Sequence, residues 1–187
     1  MPILEPTGPG RRTALALLAA GLLAGCASRP PQRSAGVGAW RGRGGTPVAP
    51  TLPPLDLDPL EREGAVAQAM LLVNTPYTYG GNTPRGGFDC SGLIQYVFRQ
   101  VSGNGTRLPR TTAQWAAAAV PVDDTQMQRG DLVFFNTTGA PYSHMGLYVG
   151  GELFVHAPSS GGTVRRASLG NRYFASRYQG ARRVFAA

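Results

Sequence analysis

The 187-residue chain contains no lysine: all 18 of its basic residues are arginine. Schiff-base chemistry and P-loop phosphate binding, which need a lysine amine, are thereby excluded. Cysteine and histidine are almost as scarce, two of each. Neither a cystine-rich scaffold nor a pair of zinc clusters can be built from so few. The apolar run from Thr13 to Leu23 is too short for a bilayer, which needs about 20 residues. What abounds is glycine (26) and proline (16), which marks part of the chain as loop or linker. The formal net charge of +8 suits an anionic partner or surface without naming one. The length suits one domain with extra segments at its ends.

The first segment reads as an address. Arg11 and Arg12 precede the apolar run, and Ala24, Gly25 and Cys26 follow it, the layout of an export signal. The string Leu23-Ala24-Gly25-Cys26 resembles the lipobox of bacterial lipoproteins. That resemblance implies removal of residues 1–25 and diacylation of the Cys26 sulfur. The protein would then be anchored to a membrane without a spanning helix. Ala27 is not aspartate, which by the same resemblance implies the periplasmic face of the outer membrane. An ordinary signal peptide with an incidental cysteine is the alternative. Residues 26–57 are rich in Pro, Gly, Ser and Arg. They offer too little apolar surface to offset their ordering entropy and read as a flexible tether.

A folded domain is expected over residues 58–187. Asp58 can cap a helix that Pro59 begins, with Val66, Met70 and Val73 at core-facing spacing. A second helix is predicted from Cys90 or Ser91, with Leu93, Ile94, Val97, Phe98 and Val101 as its apolar face. An Ala-rich third follows Thr111-Thr112, and 171–177 predicts a short helix. Strands are predicted at 131–135, 144–149, 152–156, 163–166 and 181–185, with Gly150-Gly151 turning a hairpin. Helices first and strands later predict an α+β fold with an antiparallel sheet. No disulfide is needed at this size.

Cys90 stands at the predicted start of an amphipathic helix. Unpaired N–H groups and the helix dipole favour a thiolate there, and a neighbouring imidazole would favour it further. Only His144 and His156 can supply that imidazole, and the predicted hairpin brings them close together. A cysteine at a helix start facing histidine on a sheet is the geometry of a papain-like cysteine hydrolase. A Cys/His/His metal site matches no usual zinc spacing. No metal or cofactor is therefore expected.

Six strings now carry a family resemblance: Pro76-Tyr-Thr-Tyr-Gly-Gly81, Phe88-Asp-Cys-Ser-Gly-Leu93, Leu108-Pro-Arg-Thr-Thr112, Arg129-Gly-Asp-Leu-Val133, Ser143-His-Met-Gly-Leu-Tyr-Val-Gly150 and Phe154-Val-His-Ala157. Residues 76–187 resemble the NlpC-type cell-wall cysteine peptidases, and among them the outer-membrane murein endopeptidase lipoproteins. The resemblance implies a papain-like fold, helices packed on a central antiparallel sheet. It implies Cys90 as nucleophile, His144 as base and His156 as the residue that orients His144. Tyr77 is implied beside the thiol as an oxyanion donor, with Tyr79 as the alternative because the loop before Cys90 is slightly long. Asp89 and Ser91 are candidates to shape the substrate pocket, or simply to make a turn and a helix cap. Arg110 is a candidate to pair with a carboxylate of the protein or of the substrate. Asp131 reads as a turn residue.

The implied activity is hydrolysis of peptide bonds in murein stems or cross-links. The D-Ala–diaminopimelate cross-link is preferred and γ-D-Glu–diaminopimelate comes next. Two other readings stand beside it: a non-catalytic wall-binding lipoprotein, and an acyl or amide transferase using the same thiolate. Peptidoglycan and, through Cys26, a membrane are the expected partners. The protein is expected to be a monomer without a nucleic-acid partner, since no aromatic–basic binding module is present.

Overall fold

The computed structural model describes residues 54–103 and 105–186. The expected signal segment, Cys26 and nearly all of the expected tether lie outside the described residues. The fold is α+β, as expected. Its elements in chain order are α1 (Arg62–Leu71), β1 (Asn82–Thr83), β2 (Gly87–Phe88), α2 (Cys90–Ser102), α3 (Thr112–Ala118), β3 (Val120–Val122), β4 (Leu132–Phe135), β5 (His144–Gly150), β6 (Leu153–His156), β7 (Arg165–Ser168), α4 (Arg172–Ala175) and β8 (Tyr178–Arg183). Six strands form one antiparallel sheet in the order β3-β8-β4-β5-β6-β7. The C-terminal strand β8 is thus inserted between β3 and β4.

Strand alternation sends successive side chains of β4 and β5 to opposite faces. On one face Leu132, Phe134, Met145 and Leu147 pack against α1 and α2 in the main core. On the other, Val133, Phe135 and Phe154 meet Phe174 of α4 in a second, smaller core. This two-sided burial explains why β4 reads as an unbroken apolar run.

Helix α2 lays Leu93, Ile94, Val97 and Phe98 on the sheet, all fully buried. Each such side chain contributes on the order of 1.5–3 kcal/mol through removal from water. The helix stops at Gly103, whose φ of 73° costs glycine nothing. Helix α3 opens with a capping box: Thr111 accepts from the Gln114 N–H, and the Gln114 side chain accepts from the Thr111 N–H.

Several expectations are corrected. The buried face of α1 is Ala65, Val66 and Ala69; Met70 is exposed. Alanine lets the helix approach the core closely, and its apolar weight is easily underread. The folded body also starts before residue 58. Leu57 is buried and its N–H donates to the Val184 carbonyl, while the Leu55 N–H donates to Ala118. The alternating Leu55 and Leu57 give this stretch the apolar surface that the tether lacks. The hairpin turn falls one position later than expected, on Gly151 and Glu152, both at positive φ. Short strands β1, β2 and β3 were not predicted; two or three residues carry no readable alternation.

Asp131 does hold a turn. Its fully buried carboxylate accepts from the Gln128 N–H at 2.7 Å and from Arg183 Nε and Nη2 at 2.8 and 2.7 Å. The fork geometry of arginine suits this bidentate pair.

The start of α2 packs so closely that Gly92 has no space for a side chain: a Cβ there would lie 2.0 Å from the Gly81 carbonyl oxygen. Gly92→Ala should therefore cost about 1–3 kcal/mol or more, measured by thermal or denaturant unfolding. Gly105→Ala, with open space around it, should change stability by less than about 0.5 kcal/mol. Equal stability of the two variants would show that the loop yields freely.

Candidate active site

Cys90 is the first residue of α2, and Asp89 is its N-cap. One Asp89 oxygen accepts from the Gly92 N–H at 2.6 Å, from the Ser91 hydroxyl at 3.2 Å and from Arg110 Nη1 at 3.1 Å. The other accepts from Arg110 Nη2 at 2.8 Å and from the Gly80 N–H at 3.1 Å. Arg110 Nη1 also reaches the Ser91 hydroxyl at 3.0 Å. Burial pushes the Asp89 carboxyl up. The bonds from Arg110, Gly92 and Ser91 outweigh that and hold it below the ordinary carboxylate value. Of the two expectations for Arg110, the structure shows the carboxylate of the protein itself. Asp89 is a helix cap with an ion pair.

The half-buried Cys90 thiol lies against backbone N–H groups of Ser91 and Met145. Met145 follows His144 at the start of β5, so the helix start abuts the strand that carries the candidate base. The imidazole of His144 projects to the opposite face from Met145, beside Phe135 and Phe174. His156 lies there too, against Phe154 and Phe174. The rings meet through His144 Nε2 and His156 Nδ1, 2.9 Å apart. His144 Nδ1 and His156 Nε2 are buried and have no hydrogen-bond partner among the described residues.

Tyr77 is half-buried against the main core, and Tyr79 is 91% exposed. The Tyr77 phenol is pushed up by burial, then by the nearby Cys90 and Asp89. Of the two tyrosines expected as alternatives, Tyr77 therefore sits beside the thiol. The structure brings together Cys90, Tyr77, Asp89, Ser91 and Arg110 at the helix start, and His144 with His156 behind it. Among the described residues, no cluster of three His, Cys, Asp or Glu is arranged to hold a metal.

The family model described as NlpC/P60 matches residues 74–183, the stretch that holds every one of these groups. The chain belongs to the NlpC/P60 family. It is 38% identical over 123 residues to the murein DD-endopeptidase MepH of Escherichia coli K12, covering 64% of this chain and 45% of that protein. It is 41% identical over 111 residues to the probable endopeptidase NlpC of the same organism, covering 59% and 70%. Against the probable peptidoglycan endopeptidase LytE of Bacillus subtilis it is 42% identical over 118 residues, covering 63% and 33%. The chain thus spans less than half the length of MepH and LytE. Among solved structures it resembles a lipoprotein-like NLP/P60 protein of Staphylococcus aureus, with TM-score 0.61, 31% identity and coverage of 72% and 44%.

Sequence reasoning missed one residue of this NlpC/P60 site. The β5–β6 register pairs Leu147 with Val155 and Tyr148 with Phe154, which sets Gly146 opposite His156. A Cβ on Gly146 would lie 2.6 Å from Phe154 Cδ2 and 2.8 Å from the Val155 oxygen. The bare glycine lets the strands and the Phe154 ring close up, so that His144 reaches His156 diagonally. A glycine inside a strand pattern is the available signal. Gly146→Ala should cost about 1–3 kcal/mol and loosen the imidazole pair. Thermal unfolding and the loss of the exchange-protected inter-histidine ring proton in NMR spectra check this; an unchanged ring proton would refute it.

Burial works against the expected resting thiolate. Burial, with the Asp89 charge adding to it, pushes the Cys90 thiol up to about 11, against the backbone N–H groups that favour thiolate. Burial in the aromatic box holds His144 down to about 4. Burial, then His144 and Arg165, hold His156 down to about 3. Burial thus favours a resting thiol beside two neutral imidazoles. Alkylation of Cys90 should accelerate steadily with pH from about 7 to about 10, since only the thiolate reacts. A rate already level from about pH 5 to 8 would indicate a preformed thiolate–imidazolium pair instead.

Proposed function

We propose that the protein is a peptidoglycan endopeptidase that hydrolyses peptide bonds in murein stems or cross-links by a Cys-His-His thiol mechanism. The reading rests on one observation above all: a chain of this family carries its only described cysteine at a helix start that abuts the strand bearing a buried, hydrogen-bonded histidine pair. The names of MepH and LytE add support for the substrate class.

In this mechanism Cys90 attacks the scissile carbonyl while neutral His144 takes its proton at Nδ1, the nitrogen that no protein group occupies. Proton transfer is coupled to attack because the free thiol resists ionisation. The Cys90 N–H at the helix start, together with the Tyr77 hydroxyl, holds the oxyanion. His144 then protonates the leaving amine and activates water to cleave the thioester. His156 holds the His144 ring in place. Asp89, Ser91 and Arg110 form one wall of the substrate pocket. The D-Ala–diaminopimelate cross-link is the preferred bond and γ-D-Glu–diaminopimelate the next. Cys26 carries the lipid that tethers the enzyme, through residues 27–53, to the periplasmic face of the outer membrane.

Digestion of defined muropeptides under reducing conditions, read by mass spectrometry, tests the activity and names the bond. Cys90→Ala and His144→Ala should each lower the rate by about six orders of magnitude. His156→Ala should lower it less, with its loss concentrated in kcat. Intact muropeptides after incubation with the wild-type chain would overturn the reading and favour a wall-binding role. A product formed on an added amine rather than water would favour transfer.

A further inference from the structure

The proton count along the histidine pair points beyond the catalytic face. Two tautomers of the neutral pair are possible across the 2.9 Å bond. In one, His144 Nε2–H donates to His156 Nδ1; His144 Nδ1 is then a lone pair and His156 Nε2 bears a proton. In the other, every proton is exchanged, so His144 Nδ1 bears hydrogen and cannot accept one from a thiol. Catalysis by His144, as proposed above, requires the first tautomer. That tautomer leaves His156 Nε2–H as a buried donor without an acceptor among the described residues, and such a group is costly.

His156 is 1% exposed and lines a cavity of about 380 Å³, together with His144, Ser159, Arg165, Tyr173 and Phe174. Cys90 does not line it. Arg165 stands directly opposite His156 in the β6–β7 ladder, so both side chains leave the same face of the sheet. The guanidinium forms no ion pair among the described residues. Its positive charge alone favours a lone pair, not a proton, on the nearest nitrogen of His156. With no counter-charge beside it, Arg165 therefore biases the pair toward the incompetent tautomer.

We propose that this cavity is a carboxylate-binding site, in which His156 Nε2–H and Arg165 share one anion and thereby fix the tautomer that lets His144 act as base. The anion supplies the missing acceptor and cancels the Arg165 field in one step. A neutral acceptor would do only the first, and an ammonium group would favour the opposite tautomer. The carboxylate comes either from the substrate, whose diaminopimelate residue carries one beside the amine released from a D-Ala cross-link, or from a free carboxylate in solution. No bond is made or broken; ligand binding shifts a tautomer population. The inference rests on His144 being the base, and its test does not depend on turnover.

With two histidines in the chain, ¹⁵N-histidine labelling gives four ring-nitrogen signals. The full chain would be titrated at neutral pH with acetate, and the Cys90→Ala chain with stem peptides whose diaminopimelate carboxyl is free or amidated. Carboxylate should move His156 Nε2 and His144 Nε2 to protonated shifts and His144 Nδ1 to an unprotonated one. Arg165→Gln, at an exposed position, should raise the concentration needed by about tenfold, the loss expected for one charge-assisted contact. A response to the free but not the amidated peptide assigns the anion to the substrate; equal peptides with a full response to acetate assign it to solution. Ring shifts that ignore carboxylate, that respond equally in Arg165→Gln, or that follow methylammonium instead overturn the proposal. Tautomer selection without muropeptide cleavage by wild type would leave the site standing and remove the hydrolase reading; cleavage without tautomer selection would do the reverse.

Discussion

The site hangs on the Asp89 carboxylate. A single side chain caps the helix that begins with the nucleophile, grips the 76–81 loop through the Gly80 N–H, and takes both guanidinium nitrogens of Arg110. Three segments distant in sequence are thus fixed to the first turn of α2. The cost is electrostatic. Burial opposes ionisation of the thiol, and the anion beside it adds to that. Arg110 offsets part of that charge, which explains why a bidentate arginine rather than a point-charge cation occupies the position.

The histidine pair answers the same constraint from strands β5 and β6. Consecutive residues of a strand face opposite ways. Met145 therefore turns to the helix core and its N–H meets the sulfur, while His144 turns into the box of Phe135, Phe154 and Phe174. That box keeps both imidazoles neutral. A neutral base can accept a proton that the thiol is reluctant to release alone, so reaction and proton transfer must coincide. Gly146 is what permits the two strands to come close enough for the rings to bond.

Much of this was legible in the residues. Cap chemistry and a wide apolar face located α2, and with it Cys90. Two histidines flanking a Gly-Gly hairpin signal were placed together because no other pairing was available. Burial was not legible. Helix position argued for a thiolate, but the thiol is itself desolvated, and the imidazoles are buried against Phe174, which comes from a four-residue helix far along the chain. The partner of Arg110 was equally open, because a guanidinium at a helix start suits a carboxylate from protein or ligand alike. Leu55 and Leu57 were hidden in a segment whose average composition is that of a tether; two alternating leucines, one bonded to Ala118 and the other to Val184, outweighed the average.

The arginine-only basic composition takes on a different meaning in the fold. Arg183 grips the buried Asp131 with two nitrogens, and Arg182 donates to the Ala116 and Ala119 carbonyls while lying over the Tyr142 ring. Arg129 binds Glu63 on α1 and the Val149 carbonyl. Each contact uses several donors of one planar group, which an ammonium cannot match. These residues sit at the seams between the sheet and the elements packed on it, so part of the positive charge is structural rather than a surface awaiting an anionic partner. Arg165 is the contrasting case. It lines the cavity and pairs with no carboxylate among the described residues, and a charge in that position beside a buried imidazole biases where the histidine protons reside.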